Sequence, residues 1–334
     1  MKTILITGAG GYIGSVATSL LLENGYNVVA VDNFSTGYLA PLELLQNTYG
    51  KERIKIITVD LKGFFAHVFE ENQIDAVLHY AASCSVNESM QKPQKYFTNN
   101  SSATQRLLHT MVDHKVDKIV FSSTCAVYGE AEYVPIDEIH PTHPANPYGE
   151  SKLISETFLK WYSTQKMLRY VALRYFNVCG ATDDTKIGDS KKPSVHLMQN
   201  AVRGALGLEP FYLTCGKFDT KDGTPVRDYV NVVDLNRAHL LALEYLFKGG
   251  ESEIINLGTG TGNSVLEIVK KVEEVTGAKI HLDTGSERAG EYATMIASIE
   301  KAQRVLGWKP THSLEDSVRS LVSWYTNRPK GWEK

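Results

Sequence analysis

Six short runs of apolar, largely β-branched residues punctuate the first half of the chain: TILITG (3–8), NVVAVD (27–32), IKIITVD (54–60), DAVLHYA (75–81), DKIVFSS (117–123) and YVALRYF (170–176). Each is apolar almost throughout instead of alternating with polar residues, the pattern of a strand buried on both faces. The stretches between them have helical composition, and SVATSLLLENG (15–25) ends in a glycine suited to close a helix. Strand–helix alternation of this kind predicts an α/β fold: a doubly wound parallel sheet with right-handed crossovers.

After Asn177 the texture changes. Residues 179–194 are polar and loop-like, and 209–227 mix short apolar pieces with Gly, Pro and Lys. A helical pattern returns over 235–246, a strand leading into a turn over 253–260, and amphipathic helices are predicted over 264–276 and 314–326. The expected organisation is a nucleotide-binding domain over 1–178, with returns near 230–260, and a smaller interleaved domain over 179–334 that binds substrate. A length of 334 residues suits about two domains at roughly 150 residues each.

Composition narrows the function classes. A net charge of −3 supplies no basic field of the kind nucleic acids need. The apolar run at the N-terminus meets glycine after five residues, too soon for a secretion signal, and no stretch approaches the ~20 apolar residues of a membrane span. Cys84, Cys125, Cys179 and Cys215 are widely spaced with no CxxC, so free thiols in a reducing cytoplasm, with no metal site, are expected.

Three features carry chemistry. Gly8, Gly11 and Gly14 fall between a predicted strand and a predicted helix, where a backbone without side chains can approach a pyrophosphate and the helix N-terminus offers free N–H groups. Asp32 closes the second strand 18 residues after Gly14, placed to bond the adenosine ribose and to repel a 2′-phosphate, which favours NAD over NADP; the other reading is a strand-end cap. Asp60 ends the third strand in the same way; it is read either as an adenine contact or as a turn residue. In PYGESK, Tyr148 and Lys152 are four apart and so share one face of a helix. A tyrosine, with a reference pKa near ~10, becomes a usable base when an ammonium and a cationic nicotinamide stabilise its phenolate. Thr124, in SSTCAVYG (122–129), is expected just beyond a strand, at the carboxyl edge where open α/β sheets bind ligands; it reads either as a hydroxyl able to relay a proton to Tyr148 or as a strand-end threonine bonding its own backbone.

Together, the glycine turn, the acid at 32, SSTCAVYG, YGESK and RYFN (174–177) resemble the extended short-chain dehydrogenase/reductase superfamily, whose first domain is Rossmann-type. DGTPVRDYVNVVDL (222–235), INLGTGTGNSVLEIV (255–269), RAGE (288–291) and LGWKP (306–310) narrow the resemblance to the UDP-glucose 4-epimerase family, from residue 3 to about 325. The resemblance implies an isomerase with tightly bound NAD that oxidises C4 of a UDP-hexose to a ketone, lets the sugar turn, and returns the hydride to the other face. Catalysis would fall to Thr124, Tyr148 and Lys152. NAD would be bound by Gly8, Gly11, Tyr12, Ile13, Gly14, Asp32, Asn33, Phe34, Ser35, Thr36, Gly37, Asp60, Leu61, Tyr80, Ala81, Ala82, Asn99, Ser122, Tyr148, Lys152 and Phe176. The UDP-sugar would meet Thr124, Tyr148, Asn177, His196, Leu197, Leu213, Cys215, Arg227, Arg288 and Glu291, with the two arginines on the diphosphate. The family also implies a homodimer through helices near 94–115 and 150–166.

The sequence departs from the family at several positions. Thr124 stands where many members have serine, Cys84 where some have a lysine near the cofactor, and His196 where some have asparagine. Glu291 and Ser298 replace aspartates. Met295 falls where bulk limits the sugar pocket, so UDP-N-acetylhexosamines and UDP-pentoses stay open beside the hexoses. Two rivals are a nucleotide-sugar 4,6-dehydratase and a non-catalytic NAD-binding protein. A dehydratase carries Asp-Glu directly after its threonine, and Cys125-Ala126 stands there instead. A binding module has no need of a tuned base.

Overall fold

The computed structural model describes residues 1–192, 194–215, 217–284 and 292–332. The first half alternates β1 (Thr3–Thr7), α1 (Tyr12–Glu23), β2 (Asn27–Asp32), α2 (Ala40–Tyr49), β3 (Ile54–Thr58), α3 (His67–Glu70) and β4 (Ala76–His79). It continues through α4 (Val86–Gln91), α5 (Pro93–Tyr96), α6 (Ala103–Asp113), β5 (Lys118–Thr124), α7 (Pro147–Thr164) and β6 (Arg169–Tyr175). Then come β7 (Asn177–Cys179), α8 (Leu197–Ala205), β8 (Tyr212–Leu213), β9 (Val226–Asn231), α9 (Val232–Phe247) and β10 (Glu253–Leu257). The last elements are β11 (Gly262–Ser264), α10 (Val265–Thr276), β12 (Asp283–Thr284), β13 (Thr294–Met295), α11 (Glu300–Leu306) and α12 (Leu314–Asn327).

Seven strands form one parallel sheet in the order β10-β6-β5-β4-β1-β2-β3. Both faces are covered, which is why its strands read as continuous apolar runs: Ile4, Leu5, Ile6, Ala76, Val77, Ile119, Val120 and Phe121 are at most 1% exposed. The chain passes from one side of β1 to the other between β3 and β4, so a crevice opens beyond the carboxyl ends of β1 and β4, where ligands bind in sheets of this topology.

The predicted elements are present, with shifted ends. β5 runs one residue further than expected, and Thr124 is its last residue, paired in register with Tyr175 of β6. α1 begins at Tyr12 because the glycine turn closes early, with Gly11 N–H donating to the Gly8 carbonyl and Ser15 N–H to the Gly11 carbonyl. The helix expected near 94–115 is not continuous: a π-helical turn, Phe97–Ser102, separates α5 from α6. That widened turn aims Asn100 inward, where its amide bonds the Ser83 carbonyl and the Ser151 hydroxyl of α7 at 3.0 and 2.9 Å.

β9 is the axis of a second sheet. It pairs with β7 and β13 in parallel and with β11 antiparallel, which brings Asn177, Arg227 and Met295 to one side of the crevice. The apolar core is continuous from β1, α1 and α9 into α8, α10 and α12.

The start of α9 is tied to the segment before α12 by Asp234, whose carboxylate accepts from Thr311 and His312 N–H at 2.9 and 2.8 Å and meets the His312 ring at 3.0 Å. Hydrogen bonding to Asp234, with help from Asp183, raises His312 from 6.5 to about 9. Burial alone would raise Asp234, but the bonds from His312 and Thr311 bring it from 3.8 down to about 2. Since the folded imidazole holds its proton longer than the unfolded one, its stabilisation is full below pH 6.5 and is lost as pH rises through about 9. In urea unfolding, His312→Gln is therefore expected to be less stable than the parent near pH 6, with the gap narrowing towards pH 9. A gap independent of pH would contradict this linkage.

Candidate active site

The glycine turn is shaped by two close approaches. Gly8 has φ +74°, and a Cβ there would lie 2.6 Å from the Ala81 nitrogen; a Cβ on Gly14 would lie 2.2 Å from the Gly8 carbonyl oxygen. A side chain at either position would push β1, α1 or the β4 end apart. Gly14→Ala is expected to yield protein with little bound dinucleotide and a lowered melting temperature; parent-like values of both would refute the cradle. Gly8, Gly10, Gly11, Tyr12, Ile13 and Gly14 all border a cavity of about 850 Å³. A bare backbone at a helix start, facing a cavity of this size, fits a pyrophosphate.

Asp32 does not border that cavity. Its carboxylate braces the turn, accepting from Gly10 N–H at 2.9 Å and Phe34 N–H at 2.7 Å. Asp60 accepts from the Asn33 amide at 3.0 Å and from Lys62 N–H. Asn33, Phe34, Ser35, Gly37, Leu61, Ala81, Asn99 and Ser122 likewise lie outside the lining, while Thr36, Tyr80, Ala82 and Phe176 are in it. The residues after β2 form a half-open rim, so an expectation based on strand-end position alone does not separate those that line the cavity from those that support it.

α7 is started by Asn146, which accepts from Gly149 N–H at 2.9 Å, and by Pro147 at its first position. Tyr148 therefore sits in the first turn and Lys152 one turn on, both at the cavity. The Tyr96 ring stands edge-on to Tyr148 at 6.3 Å, the Thr124 hydroxyl accepts from Ala126 N–H at 3.2 Å, and its nearness pulls the phenol's pKa down. The Lys152 ammonium donates to the Ser122 carbonyl at 2.7 Å and lies 4.8 Å from the Phe121 ring centroid. Burial pulls Lys152 down to about 8, opposed by Cys84 and Glu156. Burial also raises the Tyr148 phenol well above 10, and the nearby Thr124 hydroxyl only partly offsets this. The expectation that Lys152 lowers the tyrosine is thus not met by the protein alone: desolvation wins.

On the opposite wall stand Asn177, His196, Arg227 and Met295, with Cys125 and Tyr292 beside them. Arg227 donates to the carbonyls of Val226 and Ala293 at 2.9 and 3.4 Å, and among the described residues no carboxylate pairs with it. His196 precedes α8, edge-on to Tyr12 at 5.9 Å, and burial holds its pKa below 6.5. Burial pushes the Cys125 thiol up to about 12, which leaves it a poor acid or nucleophile. Leu197, Leu213 and Cys215 are near this wall but not in the lining, where Tyr212 and Thr214 stand instead. Arg288 and Glu291 lie outside the described residues.

Several bordering residues carried no signal in the sequence, among them Tyr38, Ser190, Lys191 and Trp332. They come from distant loops and have neither motif nor periodicity. Lys191 brings its ammonium to 3.8 Å from the Cys84 sulfur, the position at which some members of the resembled family have a lysine.

Residues 5–321 match a family model described as GDP-mannose 4,6 dehydratase. The chain is 43% identical to a UDP-glucose 4-epimerase of Streptococcus mutans over 99% of its own length and 98% of that protein, and 42% identical to one from Lacticaseibacillus casei with the same coverage. Among solved structures it resembles UDP-glucose 4-epimerase from Bifidobacterium longum in complex with NAD+ and UDP, with a TM-score of 0.94, 36% identity, and coverage of 99% of this chain and 100% of that one.

Proposed function

Because this chain belongs to the UDP-glucose 4-epimerase family, within the extended short-chain dehydrogenases/reductases, we propose that its 850 Å³ cavity binds NAD and a UDP-hexose end to end and inverts the sugar at C4. The protein is an NAD-dependent UDP-hexose 4-epimerase, an isomerase. The observation that carries the residue assignment is the convergence on one cavity of the glycine cradle, the Thr124–Tyr148–Lys152 set and Arg227, which pairs with no carboxylate among the described residues.

Gly8, Gly11 and Gly14 would hold the pyrophosphate of NAD, Thr36 and Tyr38 would border its adenosine half, and Tyr80, Ala82, Lys152 and Phe176 its nicotinamide half. When bound, NAD supplies the acceptor and later the donor of the C4 hydride. Tyr148 takes the proton of the 4-hydroxyl, directly or through Thr124, and returns it to the same oxygen once the sugar has turned. Its high pKa in the protein means that the ring's positive charge is needed to bring the phenol into range, which couples the base to the presence of cofactor. Lys152, charged below about pH 8, holds the ribose side and adds to that field. Arg227 and Arg288 would anchor the diphosphate while the sugar turns, with Asn177 and His196 beside it and the segment from Leu213 to Cys215 beside the uracil.

The dehydratase description of the family model does not displace this reading. Elimination of water across C5 and C6 needs an acid and a base near the threonine; Cys125 is held protonated by burial and Ala126 has no proton to give. The test is incubation with UDP-glucose, UDP-galactose, their N-acetyl forms and a UDP-pentose, without added NAD, and separation of the products. Interconversion of glucose and galactose forms is expected. Release of a 4-keto-6-deoxy sugar, or no conversion of any, would overturn the assignment.

A homodimer through α6 and α7 is also proposed. It is supported by Trp161 of α7, which is 62% exposed, a cost that covering it by a second copy would remove. Trp161→Glu is expected to shift the mass in light scattering from dimer to monomer; a parent of monomer mass would exclude the dimer.

A further inference from the structure

Trp332 lies beyond α12, 142 residues in sequence from Ser190, yet both border the cofactor cavity. The link between them is a bridge, Gly188 to Lys191, that crosses the cavity rim. On the inner side the bridge reaches the first domain: the Tyr38 hydroxyl donates to the Ser190 carbonyl at 2.9 Å, and Tyr38 N–H donates to the Gly10 carbonyl of the glycine turn at 2.8 Å. On the outer side three groups press it down. Gly188 lies against the Trp324 ring so closely that a Cβ would be 2.7 Å from it, and the Trp324 indole N–H donates to the Asp189 carbonyl at 3.1 Å. Trp332 N–H donates to the Ser190 hydroxyl at 2.9 Å. Arg203 donates to the Lys191 carbonyl at 3.2 Å.

Trp332 is itself clamped. Its ring is 5.3 Å from that of Trp324, the Arg328 guanidinium stacks on it at 4.1 Å, and the residue is 8% exposed. A stacked cation and an aromatic pair fix this segment far more firmly than a polar tail would be fixed. None of these groups reaches Thr124, Tyr148 or Lys152, so their effect must fall on how long the cavity stays closed, not on proton transfer.

Taking NAD as the resident cofactor, we propose that Trp332, seated on Trp324 and Arg328, is a positioning residue that holds the 188–191 bridge down on Tyr38 and so retains NAD between turnovers. Epimerisation regenerates NAD in each cycle, so a bound molecule never has to leave. A clamp from outside the nucleotide domain lowers its escape rate without altering the reacting atoms, and changes of this kind appear mainly in dissociation rates.

The experiment measures NAD in three variants and the parent, all purified intact. Protein is desalted, bound NAD is quantified, and release is followed as turnover of UDP-galactose lost after dilution into buffer without NAD. Trp332→Ala is expected to release NAD about tenfold faster or more than the parent and to regain turnover when NAD is added back. Trp332→Phe, which keeps the stack on Arg328 and the backbone bond to Ser190, should behave as the parent. Ser190→Ala, which removes the acceptor of the Trp332 N–H but no ring, should release faster than the parent and decides the matter if Trp332→Ala does not fold. Parent-like release from a folded Trp332→Ala, or from Ser190→Ala where Trp332→Ala fails to fold, overturns the clamp and leaves the cofactor assignment standing. A parent that neither carries nor takes up NAD overturns the cofactor assignment itself.

Discussion

Tyr148→Phe is expected to lower kcat by about 10²–10⁴-fold, the usual worth of a positioned acid–base group, while bound NAD and the KM for UDP-hexose stay near those of the parent. The substitution removes one oxygen. The ring remains, and with it the edge-on contact to Tyr96 at 6.3 Å and the helical turn started by Asn146. What goes is the oxygen proposed to accept the proton of the 4-hydroxyl, the one whose pKa Thr124 lowers. Thr124→Ala should cost less, since it leaves the phenol in place, and Thr124→Ser should retain most turnover because the hydroxyl is kept. Parallel assays of product formation and of bound NAD separate a chemical loss from a binding loss. A Tyr148→Phe enzyme as fast as the parent would remove Tyr148 from the mechanism.

Glu156→Gln is expected to carry the largest stability cost, about 3–5 kcal/mol, the range for breaking a buried ion pair from one side. Glu156 is 3% exposed and Arg174 4%. The carboxylate takes Nε and a terminal nitrogen of Arg174 at 3.0 and 2.6 Å and also accepts from the Ser123 hydroxyl. The amide would leave the Arg174 charge in the core facing one neutral amide oxygen and the Tyr128 ring, 4.9 Å away, in place of a carboxylate. Replacing both partners, as in Glu156→Met with Arg174→Met, should recover most of the loss, because no uncompensated charge is then left. Urea unfolding of the single and double variants measures this; equal stability of Glu156→Gln and the parent would show that the pair contributes little. The pair lies one helical turn beyond Lys152 and joins α7 to β5 and β6, so a loosened variant should also lose catalytic alignment.

How far the site could be read in advance varied with the kind of feature. The glycine turn, Thr124, Tyr148 and Lys152 were all visible, because each depends on local geometry that a sequence writes directly: a strand end, a helix start, a four-residue spacing. Even there the details moved. Thr124 proved to be the last residue of β5, held by its register with Tyr175, and the helix ahead of α6 proved to be broken by a π-helical turn. Asp32 and Asp60 were legible as strand-end acids, but not as groups spent on Gly10 N–H and on Asn33. Strand-end position says that a side chain is near the crevice; it does not say which way the side chain turns.

Local pattern alone fixes the layers of the sheet, the glycine cradle and the placing of Thr124, Tyr148 and Lys152 together, since continuous apolar runs demand two-sided burial and glycine where a Cβ cannot fit demands close backbone approach. The protonation balance and the far wall come instead from packing between distant parts of the chain. Tyr148 and Lys152 are shifted chiefly by burial, a property of everything packed around them. The bridge from Gly188 to Lys191 and the indole of Trp332 meet across 142 residues of chain, and no period or motif records a contact of that range.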